Sequence, residues 1–247
     1  MMKYEFTGEE KSFFGITLKR IRAIRDIEKY RVKKGDLGGW IEREKNLSQN
    51  DDAWVFGNAW VRGNAQVYGN ARVYGNARVY GNAQVYGNAR VFGDAQVSGD
   101  AQVYGNAWVR GNAQVYGNAR VYGNAWVRGN ARMYGNALVC GDARVYGNAR
   151  VCGDARVYGD AWVYSPLYIQ GKAYSFSACT KNKIKIGCQI HSFSAWKRNW
   201  KRIAKENNFP KESWKEYALY FNLACDLYGK EKYKIDLKEV ERADDER

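Results

Sequence analysis

The side chains in this sequence with the most to offer chemically are tryptophans, tyrosines and arginines set at fixed intervals. Trp108 and Arg110 are followed eighteen residues later by Trp126 and Arg128. Trp54, Trp60, Arg62 and Trp162 fall in the same repeating pattern, and Tyr68, Tyr86, Tyr104 and Tyr122 make an eighteen-residue series of their own. These residue types serve recognition more often than acid–base or nucleophilic chemistry. They are the types enriched at binding hot spots. Guanidinium groups pair with carboxylates and phosphates, and an arginine over an aromatic ring adds a cation–π attraction. Residues suited to covalent chemistry are scarce. His191 is the single histidine. Its spacing from Cys188 permits a nucleophile–base pair, but no third orienting group is suggested. The five cysteines include no C-x-x-C pair, so reduced thiols are expected rather than a disulfide framework or a zinc site. No metal and no cofactor is expected.

The element that must position these residues is a six-residue repeat. From Ala53 the chain reads AWVFGN, AWVRGN, AQVYGN, and an apolar residue recurs at every sixth position from Val55 to Val163, with Met133 the one departure from valine. That makes nineteen unbroken repeats; Ile169, followed by Gly171 and Ala173, resembles a degraded twentieth. Side chains on a strand alternate between faces. In Ala-x-Val-x, alanine and valine therefore share the inner face and the x residues point out. Gly-Asn or Gly-Asp then supplies the positive φ of a tight corner. Three such units close a triangular coil of eighteen residues. About six coils stacked at ~4.8 Å give a rod on the order of 30 Å long. One outer face then carries the Tyr68–Tyr122 series. A second carries Trp54, Arg72, Arg90, Trp108, Trp126, Arg144 and Trp162, beside Arg110 and Arg128. The third carries Trp60, Arg78 and Arg132.

The pattern V-x-G-N-A-x resembles the hexapeptide repeat of left-handed parallel β-helix proteins over residues 53–174, and left-handed coils are what that resemblance implies. Residues 1–52 are expected to form a small β-rich N-terminal cap. Their Gly35, Asp36, Gly38, Gly39, Trp40, Ile41 and Glu42, with Asn46, Leu47, Ser48 and Gln49, resemble the GD-x-GGW-[IV]-E…NLSQ cap of phage and bacterial β-helix proteins. An open β-helix end is a sheet edge that must be covered, so the motif has a structural reading as well. Residues 175–229 read as a last strand, KIKIG, and a helical hairpin, with Ser192 or Ser194 as N-cap and Phe209-Pro210 as the break. The segment Ile186-Gly187-Cys188 with His191 resembles the tail of the same phage-type proteins. Residues 230–247 read as a loosely ordered charged tail.

Function is bounded by what these features exclude. Many relatives with this repeat are acyltransferases that use a histidine on the coils; here His191 lies beyond the repeats and no loop interrupts them, so enzymatic activity is not expected. Ice binding needs threonine ladders, and Thr7, Thr17 and Thr180 all lie outside the repeats. The net charge is +14, with an excess of +2 in residues 1–52, +6 in 53–164 and +6 in 165–247, which favours acidic partners. No signal-like or membrane-spanning apolar run appears, so a cytoplasmic location is expected. The leading expectation is a non-enzymatic scaffold that binds a macromolecule, a protein or a second copy of itself, through its aromatic and arginine faces. The phage resemblance implies an accessory protein that inhibits a host defence factor. Direct nucleic-acid binding is the alternative from a different class. An acyltransferase-like hexapeptide protein, which would form a trimer and bind an acyl-carrying cofactor, is the third reading, and the rows also have a bland account as ladders that stabilise the coils and need no partner.

Overall fold

The computed structural model describes residues 2–13, 15–159, 161–162 and 165–245. The last repeat's Val163, the neighbouring Tyr164 and the corner residue Asp160 lie outside the described residues. Two compact units are present: Met1–Gly153 with Ala161–Ser165, and Asp154–Asp160 with Pro166–Arg247.

The first unit is a parallel β-solenoid. Each two-residue strand pairs with the strand eighteen residues on, as in Trp54↔Arg72, Gln66↔Gln84 and Trp60↔Arg78. The sheet that begins at Trp54–Val55 has seven rungs, which spans the six coils the repeat count implies. Every alanine and valine of the repeats from Ala53 to Val157 is 0% exposed, and so is Met133. A fully buried valine contributes about 1.5–3 kcal/mol, so many small repeats add up to a large core.

The corners show why glycine is required. Gly105 has φ +68°, and a Cβ built on it would stand 3.0 Å from Gly123 N and 3.2 Å from Gly123 O. Glycine thus supplies the left-handed backbone and also lets one coil lie directly on the next. The asparagines that follow form amide ladders: Asn88 donates to Asn106 and Asn106 to Asn124 at 3.0 and 3.1 Å, and Asn124 donates to Asp142 at 3.0 Å. Aspartate accepts from the coil before it but has no amide to pass on.

The N-terminal cap continues one of the three sheets. Strands β1 (Tyr4–Phe13) and β2 (Ile16–Ala23) form an antiparallel hairpin, and β3 (Leu37–Ile41) lies antiparallel to β2. On its other side β3 runs parallel to Trp60–Val61, pairing Trp40↔Trp60 and Ile41↔Val61. Several residues of the cap motif make structural contacts. A Cβ on Gly38 would stand 2.5 Å from Ile21, and one on Gly39 would stand 2.6 Å from Ala59 O. Asn46 donates to Gly63 O and Ala65 O at 3.0 and 2.8 Å. Gln49 accepts from the backbone of Lys3 and Tyr4. Lys3, 0% exposed, donates its ammonium to Asp51 and to the carbonyls of Asp51 and Ala53.

The second unit departs from the expectation of one last strand and a loose tail. Tyr168–Gln170, Ser175–Thr180, Lys183–Ile186 and Gln189–Ser192 form a four-stranded antiparallel sheet. Ile169 pairs with Phe176 there and is no twentieth repeat. Helix α1 (Phe193–Glu206) starts at Ser192, whose hydroxyl accepts from Ala195 N at 3.2 Å. Helix α2 (Trp214–Leu227) follows the Pro210 break. A third helix, α3 (Leu237–Asp245), buries Val240 and Ala243, and Asn222 of α2 bonds both the N–H and the carbonyl of Ile235 just before it. Among the described residues no helix is long and apolar enough to cross a membrane.

Candidate partner-binding face

The arginines and tryptophans of the second face come together as one layered stack. Coil register sets Arg90, Trp108, Trp126 and Arg144 opposite one another in turn. The Trp108 and Trp126 rings lie 4.8 Å apart and 2° from parallel. Each tryptophan's other face is covered by a guanidinium: Arg90 stands 4.5 Å from the Trp108 centroid and Arg144 stands 5.3 Å from that of Trp126. Beside this column runs a second one. Phe92 pairs with Arg110 across the coils, Arg110 reaches 5.7 Å from Trp126, and Arg128 stands 4.8 Å from the Tyr146 ring. Read along the stack, the columns are Arg-Trp-Trp-Arg and Phe-Arg-Arg-Tyr.

Charge on this face is one-signed. Its outward strand positions carry no aspartate or glutamate. Among the described residues, none of Arg90, Arg110, Arg128 and Arg144 lies within ion-pair distance of a carboxylate. Four guanidiniums therefore crowd around two tryptophans with their hydrogen-bonding edges unengaged by acid. All four, with Trp108 and Trp126, are at least partly accessible.

The tyrosine series forms a separate ladder on another sheet. Tyr68, Tyr86, Tyr104 and Tyr122 stack at 4.8, 4.9 and 4.9 Å, within 8° of parallel. Burial, and next the neighbouring Tyr86, push the Tyr68 phenol above its ordinary range; burial does the same for Tyr104. The ladder presents ring edges and hydroxyls outward. Inner rings, like the two tryptophans, have both faces occupied, so base stacking of the kind single-strand binders use is not open to them.

Three expected members of the surface are not on it. Trp54 is 0% exposed because Gly38 of the cap lies against it and Tyr4 meets it edge-on at 6.3 Å. Trp60 is 7% exposed, pressed by Tyr80 at 5.8 Å and by Arg62 and Arg78. Trp162 is 5% exposed for a different reason. The last rung slips by one residue, so Val145 pairs with Trp162 where the repeat would pair Arg144 with it. A one-residue slip exchanges the faces of a strand, and Trp162 turns into the valine column. Arg62 lies across Trp60 and Tyr80 on the third sheet, away from the stack. Arg90 and Arg144 are the members that counting tryptophans passes over; their place in the eighteen-residue series with Trp108 and Trp126 was the available signal.

His191 lies in the C-terminal sheet, edge-on to Trp196 at 5.1 Å. Burial, and next Arg202, lower its pKa. No group of three His, Cys, Asp or Glu side chains among the described residues is placed to hold a metal.

A family profile described as the YdcK beta solenoid repeat matches residues 65–81, 71–84, 83–99, 113–129 and 149–165. The chain is a β-solenoid repeat protein. The matches include Tyr68, Tyr86 and Tyr122 of the tyrosine ladder and Arg90, Trp126 and Arg128 of the arginine–tryptophan stack. No curated protein matches the chain.

Proposed function

We propose that this β-solenoid is a non-enzymatic scaffold that binds an acidic macromolecular partner, a protein first of all, through the Arg90–Trp108–Trp126–Arg144 stack with Arg110 and Arg128. The observation that carries this reading is the crowding of four guanidiniums on a rigid flat face without a carboxylate. Self-repulsion among fixed like charges is unfavourable, and an acidic partner relieves it. Arginine and tryptophan are also the residue types that dominate binding hot spots. A second copy of the same face would bring arginine onto arginine, so this stack does not suit self-pairing. The N-terminal motif and the tail resemble phage-type proteins, which favours an accessory protein that occupies a host factor. A cytoplasmic site of action belongs to the same reading.

Direct nucleic-acid binding is the second reading, favoured by the same one-signed charge. It would rest on phosphate contacts alone, since the ring faces are covered, and its affinity would fall steeply with salt. A pull-down from cell lysate, with and without nuclease, separates the two. The comparison is wild type against the variant Trp108→Ser, Arg110→Ser, Trp126→Ser, Arg128→Ser. A protein retained after nuclease and lost in the variant is expected. Retention of nucleic acid alone would replace the protein partner by the second reading.

A further inference from the structure

One corner of the first coil stands off the stack. A Cβ on Gly63 or Gly69 would lie 3.1 Å from the backbone of the next coil, yet one on Gly57 would meet nothing within 4 Å. Asn64 and Asn70 donate their backbone N–H groups to Gly81 and Gly87 at 2.8 Å. Their side-chain amides donate to Asn82 and Asn88 at 3.1 and 3.2 Å. Asn58, the asparagine of the Gly57 corner, makes neither bond to the second coil. It borders a pocket of about 260 Å³, with Lys11 and Ser12 of β1 and with Trp60, Asn76, Arg78 and Asp94 of the coils.

The cations at this pocket are crowded. Lys11 Nζ stands 4.3 Å from the Trp40 ring centroid, and the Arg20 guanidinium stands 5.5 Å from the same ring. Trp60, on the next rung, carries Arg62 at 5.4 Å and Arg78 at 5.7 Å. Among the described residues, neither Lys11 nor Arg62 lies within ion-pair distance of a carboxylate. Burial, and next Arg20 and Arg78, lower the Lys11 pKa, and no carboxylate offsets them. Asp94 is the acid in the lining, and one of its oxygens accepts from the Asn76 amide at 3.1 Å.

We infer that this pocket binds the phosphate group of a small phosphomonoester. Lys11 and Arg78 supply charge, and the Ser12 hydroxyl and the Asn58 amide supply further donors for the phosphate oxygens. The second oxygen of Asp94 gives the selectivity. It repels a fully ionised oxyanion but accepts from a P–OH, which a phosphomonoester keeps below its second pKa of about 6. Sulfate has no such proton. The volume lies just below that of ordinary small-ligand clefts, about 300–1,000 Å³, so the organic part is small. The pocket shares no residue with the arginine–tryptophan stack and does not rest on the function proposed for it.

Isothermal titration calorimetry at fixed ionic strength and mildly acidic pH, with glycerol 3-phosphate, inorganic phosphate and sulfate, tests the inference. Saturable binding of the ester is expected, with weaker binding of inorganic phosphate and none of sulfate. Lys11→Gln should raise the dissociation constant of the ester about tenfold, the effect of one lost hydrogen bond to a charged group, with thermal unfolding unchanged. Asp94→Asn should admit sulfate, a gain that a misfolded variant cannot imitate. No saturable binding of the ester, or a dissociation constant indifferent to Lys11→Gln, overturns the site. Sulfate bound by wild type as tightly as the ester overturns the phosphate assignment, and inorganic phosphate bound more tightly than the ester overturns the monoester.

Discussion

Replacing one corner glycine by alanine separates the two demands that the coil stack makes on that position. At Gly57, φ is +55° and a Cβ would meet nothing within 4 Å. Alanine there bears only the left-handed backbone penalty, about 1–2 kcal/mol. At Gly105, φ is +68° and the added Cβ would stand 3.0 Å from Gly123 N, 3.2 Å from Gly123 O and 3.5 Å from its Cα, all backbone atoms of the next coil. Backbone cannot rotate away as a side chain can, and overpacking of this kind adds roughly 1–3 kcal/mol. Gly105→Ala is therefore expected to cost about twice what Gly57→Ala costs. Gly105→Asn should recover part of the backbone penalty but none of the clash. Equilibrium unfolding in urea, followed by far-UV circular dichroism, gives the three values. Equal losses for Gly57→Ala and Gly105→Ala would refute coil-on-coil contact as a reason for glycine in the repeat.

Two further outcomes follow from single contacts. Asn106→Asp keeps the bond accepted from Asn88 but loses the one donated to Asn124, and should lower stability by roughly 0.5–1.5 kcal/mol in thermal denaturation; no change would mean that the amide ladder contributes nothing. Burial alone would raise the Asp51 pKa, but the Gly69 N–H, the Ser48 hydroxyl and the Lys3 ammonium outweigh it and hold the carboxyl below its ordinary range. A carboxylate lowered on folding stabilises the fold above its unfolded pKa, and that stabilisation is lost as pH falls through the folded value. Protection against hydrogen exchange at Gly69 and Ala53, whose N–H groups bond the Asp51 carboxylate, should fall in acid at pH values where the middle coils are still protected, and Asp51→Asn should abolish that selective acid response.

Most of the solenoid was legible in the sequence because one rule is repeated. Alanine and valine at positions two apart must share a face, and every such pair described from Ala53 to Val157 is fully buried. What the repeat could not reveal lies at its ends, where residues outside the pattern decide burial. Trp54 sits in an outward position yet is covered by the cap, and the glycines that allow this, Gly38 and Gly39, read in sequence only as turn signals. Trp162 is turned inward by a slip in pairing that no side-chain pattern announces. In residues 230–245 charge masks an amphipathic helix: only Val240 and Ala243 mark the buried side of α3, too few to set a helical period. The eighteen-residue series placed Arg90 and Arg144 on one face with Trp108 and Trp126, but the ring spacing and the closure of each tryptophan by a guanidinium needed the side-chain geometry.

The central claim is that this stack binds a partner and does not merely brace the coils. Cation–π pairs at exposed sites contribute about 0.5–1 kcal/mol each, so bracing and binding are separable by magnitude. The direct measurement is thermal stability and partner retention on one protein, the variant Trp108→Ser, Arg110→Ser, Trp126→Ser, Arg128→Ser, after nuclease treatment. The account predicts a folded solenoid with a modestly lowered melting temperature and at least a tenfold loss of the retained protein. A steep loss of stability with retention unchanged in the surviving folded fraction would contradict it and leave the stack as an internal brace.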